Sequence, residues 1–156
     1  MTSTARHNQV VQKQFGEQAS AYLSSAVHAQ GAEFALLQAE LAGKSQARVL
    51  DLGCGSGALG QHLSETRGCT LDGVTLSEAE ATHARPHYRR VVVDNLESCD
   101  LVATFAGSHY DFIVCADVLE HLSRPEQVLA ACRQLLQPEG RLLISVPNAG
   151  YTGLIA

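Results

Sequence analysis

The sequence predicts an α/β protein built on a doubly wound, mostly parallel sheet, and three observations carry that prediction. Short apolar strand candidates alternate with helical stretches of about 10 to 15 residues, the rhythm of strand, crossover helix and parallel strand. Val91-Val-Val93 and Phe112-Ile-Val-Cys115 are apolar without alternation, as strands covered on both faces are. Between Leu52 and Ala58 the glycines Gly53, Gly55 and Gly57 form a turn joining a strand to a helix, where wound sheets hold their ligands.

At 156 residues the chain is one domain by length, large enough to bury a sizeable core. Its expected extent is 8–156, with a helical lead-in over 8–43 and a core over 47–148. In the lead-in, Val11, Phe15, Ala19 and Tyr22 recur at helical spacing, as do Phe34, Leu37 and Leu41 before Gly43 stops the second helix. Val49, Leu50 and Leu52 read as the first strand, and Ala58, Leu59 and Leu63 supply the apolar face of a helix over 58–67 that Gly68 ends. Thr70 to Leu76 is the second strand. Ser77 and Glu80 form a capping-box pattern for a helix that Pro86 closes. Val91 to Val93 is a third strand, read as buried on both faces, with Asp94 at its end, and Asp111 to Cys115 is a fourth. Ser123 as cap and Pro125 at the first position predict a helix to about Leu136. The turn Gln137-Pro-Glu-Gly140 then leads into a fifth strand, Leu142 to Val146.

Composition narrows the function classes. A hydrophobic fraction of 46% with 17% charged residues describes an ordinary folded chain. A net charge of −5 argues against nucleic acid as a partner, and the basic cluster from Arg85 to Arg90 reads as a solvated strand rim. The five cysteines contain no Cys-x-x-Cys pair, which argues for a reducing compartment and against a zinc knuckle. The polar start MTSTARHNQ shows no signal peptide, and no apolar run reaches the roughly 18 residues of a membrane span, so the expected location is cytoplasmic.

The glycine turn carries the chemistry. It lets a bound molecule rest on the main chain, and Asp51 beside the crevice adds a negative charge, a pairing that suits a ligand with a cationic group better than a bare phosphate. Gly55-x-Gly57-x-x-Gly60 also fits the dinucleotide fingerprint, but that reading needs an acid about 20 residues on, where Thr75 stands. Val49-Leu-Asp-Leu-Gly-Cys-Gly-Ser-Gly57 resembles the first motif of class I S-adenosylmethionine-dependent methyltransferases, whose Rossmann-like sheet receives the methionine half of the cofactor at this turn. Lys13 to Tyr22 looks like the lead-in of ubiquinone- and biotin-pathway members, and Tyr110 to Asn148 like relatives of the methionine-biosynthesis W protein.

The resemblance implies a binding site at four strand ends. Asp51, Gly53, Cys54, Gly55 and Gly57 would meet the methionine moiety, Thr75 with Leu76 the ribose, Asp94 with Asn95 the adenine edge, and Cys115 with Ala116 the region of the sulfonium. Tyr22 would cover the cofactor, or else serve as a core aromatic. Thr75 departs from the Asp or Glu of most members, offering one hydroxyl where they offer two acceptors, with Ser77 or Glu78 as compensating groups. His121 is the candidate catalytic base, a capping or structural role being its alternative. Asp117, Glu120 and His121 resemble the metal-gripping cluster of some family members, yet the expectation is a reaction without metal.

The expected activity is methyl transfer from S-adenosyl-L-methionine to a small-molecule or glycan acceptor. Its rivals are a cofactor-binding subunit or fragment inactive without a partner, and an NAD-dependent oxidoreductase. The family's sheet ends in an antiparallel pair beside the fifth strand, which this sequence lacks. Leu142 to Val146 is therefore expected either to belong to a longer protein or to pair with a second copy in a homodimer.

Overall fold

The computed structural model describes residues 32–66 and 68–146. The expected helix through Val11 to Tyr22 and everything after Val146 lie outside these residues. The elements are α1 (Ala32–Glu40), β1 (Arg48–Leu52), α2 (Ala58–Thr66), β2 (Thr70–Thr75), α3 (Glu78–Ala84), β3 (Arg90–Val93), α4 (Leu101–Thr104), β4 (Tyr110–Ala116), α5 (Pro125–Leu135) and β5 (Leu136–Ser145). All five strands form one sheet in the order β3-β2-β1-β4-β5, and every pairing is parallel. The doubly wound α/β class is thus the observed one.

Successive residues of β1 supply opposite layers, since side chains alternate across a strand. Val49 packs in one cluster with Leu37 of α1, Leu41 in the turn after it, Leu63 of α2 and Ala84 of α3. Leu50 and Leu52 face the other way, onto Leu101 of α4 and Val128, Cys132 and Leu135 of α5. Each fully buried Leu or Val contributes about 1.5–3 kcal/mol by leaving water, so the two layers clamp β1 from both sides. The buried Asp72 is held by two Arg89 bonds, of 3.0 and 2.5 Å, and by the Tyr110 hydroxyl at 2.6 Å.

Three local expectations are corrected. β3 is half-exposed rather than buried on both faces, Val93 being 37% exposed, because β3 is an edge of the described sheet and pairs there with β2 alone. Its apolar run reflects β-propensity without full burial. Ser123 does not cap α5: Arg124 holds the cap position without a side-chain bond, and both Ser123 Oγ contacts go to the Glu97 carboxylate at 2.7 Å. The turn at Gln137–Gly140 is an excursion within β5, since Tyr110 pairs with Leu136 and Phe112 already with Arg141. Gly140 fits there because a Cβ would lie 2.8 Å from the Tyr110 carbonyl.

Candidate functional site

The chain runs outward from β1 to β2 and β3, then crosses to β4 and β5 on the other side. The reversal opens a crevice at the carboxyl ends of β1 and β4. The glycine turn sits there, pinned to its neighbour by bonds from the Gly53 and Cys54 N–H groups to the Val74 carbonyl, both 2.9 Å. Gly57 N–H closes the turn onto the Cys54 carbonyl at 2.9 Å, leaving the Gly55 and Ser56 N–H groups without a hydrogen bond among the described residues. Gly55 has φ +51°, and a Cβ built on it would meet nothing within 4 Å, so its Cα faces open space. A Cβ on Gly53 would instead come within 3.0 Å of Val118, which walls the crevice from the β4 side.

Asp51 lies under this turn. It is buried, and Tyr88, itself buried, donates from its hydroxyl to Asp51 Oδ2 at 2.6 Å while accepting from the Gly60 N–H at 3.1 Å. Burial pushes the Asp51 carboxyl up to about 6 against the opposing pull of the Tyr88 bond, and burial, then the neighbouring Asp51 charge, raise the Tyr88 phenol well above its ordinary range. Cys54 is buried in the turn, its thiol pushed up by burial and by the charges of Asp51 and Glu80.

At the end of β2, Thr75 is buried and donates its hydroxyl to Glu80 Oε2 at 2.5 Å. Leu76 follows, half-buried. Ser77 caps α3 by accepting from the Glu80 N–H, and Glu78 is exposed and paired with Arg85 at 2.5 Å, so the group beside Thr75 is neither Ser77 nor Glu78. At the end of β3 the Asp94 N–H bonds the Thr75 carbonyl at 3.0 Å, which ties the second and third strand ends together. The exposed Asp94 carboxylate accepts from the Asn95 N–H at 2.7 Å, and Asn95 Oδ1 accepts from Glu97 N–H at 2.9 Å. At the end of β4, Cys115 is fully buried and Ala116 partly so.

The next residues do not form the expected helix face. Asp117 takes φ +50° and bonds Ser145 of β5 through both its N–H and its carboxylate, while Glu120 and His121 lie on a single 3-10 turn, Leu119–His121. His121 Nε2 stands 3.8 Å from Glu120 Oε1. Among the described residues no three His, Cys, Asp or Glu side chains converge as metal ligands.

Comparison with known proteins supplies the deciding observation. A family model for a methyltransferase domain matches residues 15–153. The chain belongs to the class I S-adenosylmethionine-dependent methyltransferase family. It is 33% identical over 112 residues to a ubiquinone biosynthesis O-methyltransferase of Pseudomonas aeruginosa, a match covering 70% of this chain and 48% of that relative. The chain thus spans about half the length of the curated relatives it matches. Among solved structures it resembles a TehB-like methyltransferase from Corynebacterium glutamicum, with TM-score 0.64, 25% identity, and coverage of 94% of this chain and 75% of that one. The fold is shared also with CalS10, an amino pentose methyltransferase from Micromonospora echinaspora solved with S-adenosylmethionine bound, at TM-score 0.65 and 21% identity, covering 83% and 55%.

Within this methyltransferase domain the sequence-predicted residues of all four strand ends gather on one edge of the sheet, and Tyr22 lies outside the described residues. Two side chains that sequence reasoning missed matter as much. Tyr88 fills the space that three glycines leave: a Cβ on Gly60 would lie 2.0 Å from its ring, and one on Gly57 or Gly73 would also crowd it. The sequence pattern makes Glu80 a capping-box acid, yet its carboxylate turns to Thr75. The signal for Tyr88 was its position just before a strand, and for Glu80 the strand-end threonine five residues earlier, but neither pattern names the contact.

Proposed function

We propose that this methyltransferase domain binds S-adenosyl-L-methionine across the ends of β1 to β4 and transfers its methyl group to a small-molecule or glycan acceptor. The observation that carries the reading is Gly55, whose Cα faces open space and whose N–H, like that of Ser56, has no hydrogen bond among the described residues, a cradle that a side chain would fill. The bound cofactor supplies a methyl group on a sulfonium, already a good leaving group. The glycine turn offers main-chain donors to the carboxylate of the methionine half, and the Asp51 charge beneath favours its ammonium. Asp94 accepts from the adenine amino group, and the main chain of Cys115 and Ala116 lines the region of the reacting centre. His121, 45% exposed, accepts the acceptor's proton on its imidazole.

No helix among the described residues is long and apolar enough to cross a membrane. All five cysteines are unbridged, which supports a reducing, cytoplasmic setting. Ile144 on β5 and Val146 just beyond its end stand 46% and 56% exposed, and a homodimer pairing two β5 edges would help cover them. Sedimentation with Ile144→Lys beside the native chain tests that pairing.

The decisive experiment incubates the protein with cofactor labelled in its methyl group and a cell extract, then identifies the labelled product. Label on a small molecule or glycan supports the proposal. Binding without transfer to any acceptor would favour a cofactor-binding subunit, and enhanced NADH fluorescence would favour an oxidoreductase.

A further inference from the structure

We infer that Glu80, the second acid of helix α3, holds the ribose hydroxyls of the bound nucleoside, with Thr75 orienting its carboxylate. This rests on the S-adenosylmethionine reading above. A ribose presents two neighbouring hydroxyl donors, and the group that recognises them best is an acceptor with two oxygens. The end of β2, where a wound sheet meets a ribose, offers only the Thr75 hydroxyl, and that hydroxyl is directed at Glu80 Oε2 at 2.5 Å. Thr75 therefore directs its one proton to a carboxylate, and its single oxygen is at most one acceptor where a ribose presents two donors.

The local chain explains how Glu80 reaches this place. In a complete capping box the carboxylate three residues after the cap turns back to the cap's own N–H. Here Ser77 completes its half, accepting from the Glu80 N–H, but the Glu80 carboxylate swings to the strand end. A capping bond has been given up for a position beside the crevice. The second oxygen, Oε1, has no hydrogen bond among the described residues, although the side chain is partly buried. The Cys54 thiol feels the Glu80 charge, which places that charge near the glycine turn and not out on the helix surface. Asp94, bonded through its N–H to the Thr75 carbonyl, sets the adenine-facing strand end directly alongside. A carboxylate at this point also repels a phosphorylated ribose, so the site should select an unmodified one.

The test uses the full chain and calorimetry with S-adenosylhomocysteine and its 2′,3′-dideoxy analogue. The native protein should prefer the intact ribose, and Glu80→Ala should weaken S-adenosylhomocysteine by about 10- to 150-fold while leaving the analogue nearly unchanged. Glu80→Gln keeps an acceptor for Thr75 and guards against misfolding; it should fall between the two. A Glu80→Ala or Glu80→Gln protein that retains the full preference for the intact ribose overturns this assignment and leaves the cofactor reading standing. A native protein that binds S-adenosylhomocysteine without discriminating the analogue overturns it too. No binding of S-adenosylhomocysteine by the native protein overturns the cofactor reading itself.

Discussion

Replacing Asp51 by Asn should stabilise the protein at neutral pH while weakening its hold on a cationic ligand. The carboxyl is buried, and desolvation, only partly offset by the Tyr88 bond, raises it from 3.8 to about 6. An acid raised in the folded state binds more protons there than in the unfolded chain between those two values. Its favourable contribution is therefore complete below about pH 3.8 and lost as pH rises through about 6. A difference of about 2.2 between the two values corresponds to roughly 3 kcal/mol, an upper figure because an amide also loses water on burial. Asn keeps an oxygen for the Tyr88 hydroxyl but carries no charge. Urea unfolding of both proteins at pH 4 and pH 7.5 measures the difference directly. The two should be nearly equal at pH 4, and the variant should be up to about 3 kcal/mol more stable at pH 7.5, a midpoint shift of about 1–3 M at common m values. Comparing the two proteins cancels other carboxylates such as Glu78, which is lowered by its Arg85 bond and gives the opposite slope. A difference independent of pH, or a native protein more stable at pH 7.5, would refute the reasoning. The binding half follows from the same charge: the domain accepts an unfavourable carboxylate under its glycine turn, and an ammonium above it would recover that cost.

Other substitutions separate fold from site. Gly60→Ala places a methyl 2.0 Å from the Tyr88 ring and should cost about 1–3 kcal/mol or more, seen as a lowered melting temperature in calorimetry. Gly55→Val should leave the domain folded, with some strain at φ +51°, but abolish cofactor binding, because its side chain enters the open space of the crevice; equal affinity in titration calorimetry would remove the turn from the site. Asp94→Ala should weaken S-adenosylhomocysteine by about 10- to 150-fold with little change in stability, and an unchanged dissociation constant would place adenine elsewhere. Methyl transfer should persist in chelator, whereas full inhibition reversed by Mg²⁺ or Zn²⁺ would make Asp117, Glu120 and His121 a metal site.

What the sequence made legible is what short-range geometry dictates. The strand, turn and helix from Arg48 to Thr66 could be read because glycine spacing, β-branched runs and helical periodicity all act within a few residues. The ends of β2, β4 and α5 came within one or two residues for the same reason. The short helix α4, with Asp100 as its cap, gave too few apolar repeats to be read at all. The burial of β3 is not legible in the sequence because three valines look alike in a central strand and at an edge, and only the sheet order decides which they occupy.

The partners of polar side chains were the least legible part, and the reason is physical. Asp51 and Tyr88 are 37 residues apart, and their bond exists because β1 lies beside β2 while the chain enters β3 under the glycine turn. An acid before a glycine turn suggests a charge for a ligand, yet one of its oxygens is already held from below. Ser123, Asp117 and Glu80 follow the same rule. Each carries a residue type that suggests one role, as cap, ligand or capping-box acid, and each is drawn elsewhere: Ser123 and Asp117 to the sequence-distant Glu97 and Ser145, and Glu80 back to Thr75 at the strand end. Local propensities for such residues are worth about 1 kcal/mol, and a charge-assisted bond, part-buried for Asp117 and Glu80, exceeds that. The strand ends of a wound sheet are where such bonds are most available, because main-chain groups stop pairing there. The residues closest to the chemistry are therefore the ones whose contacts the sequence discloses last.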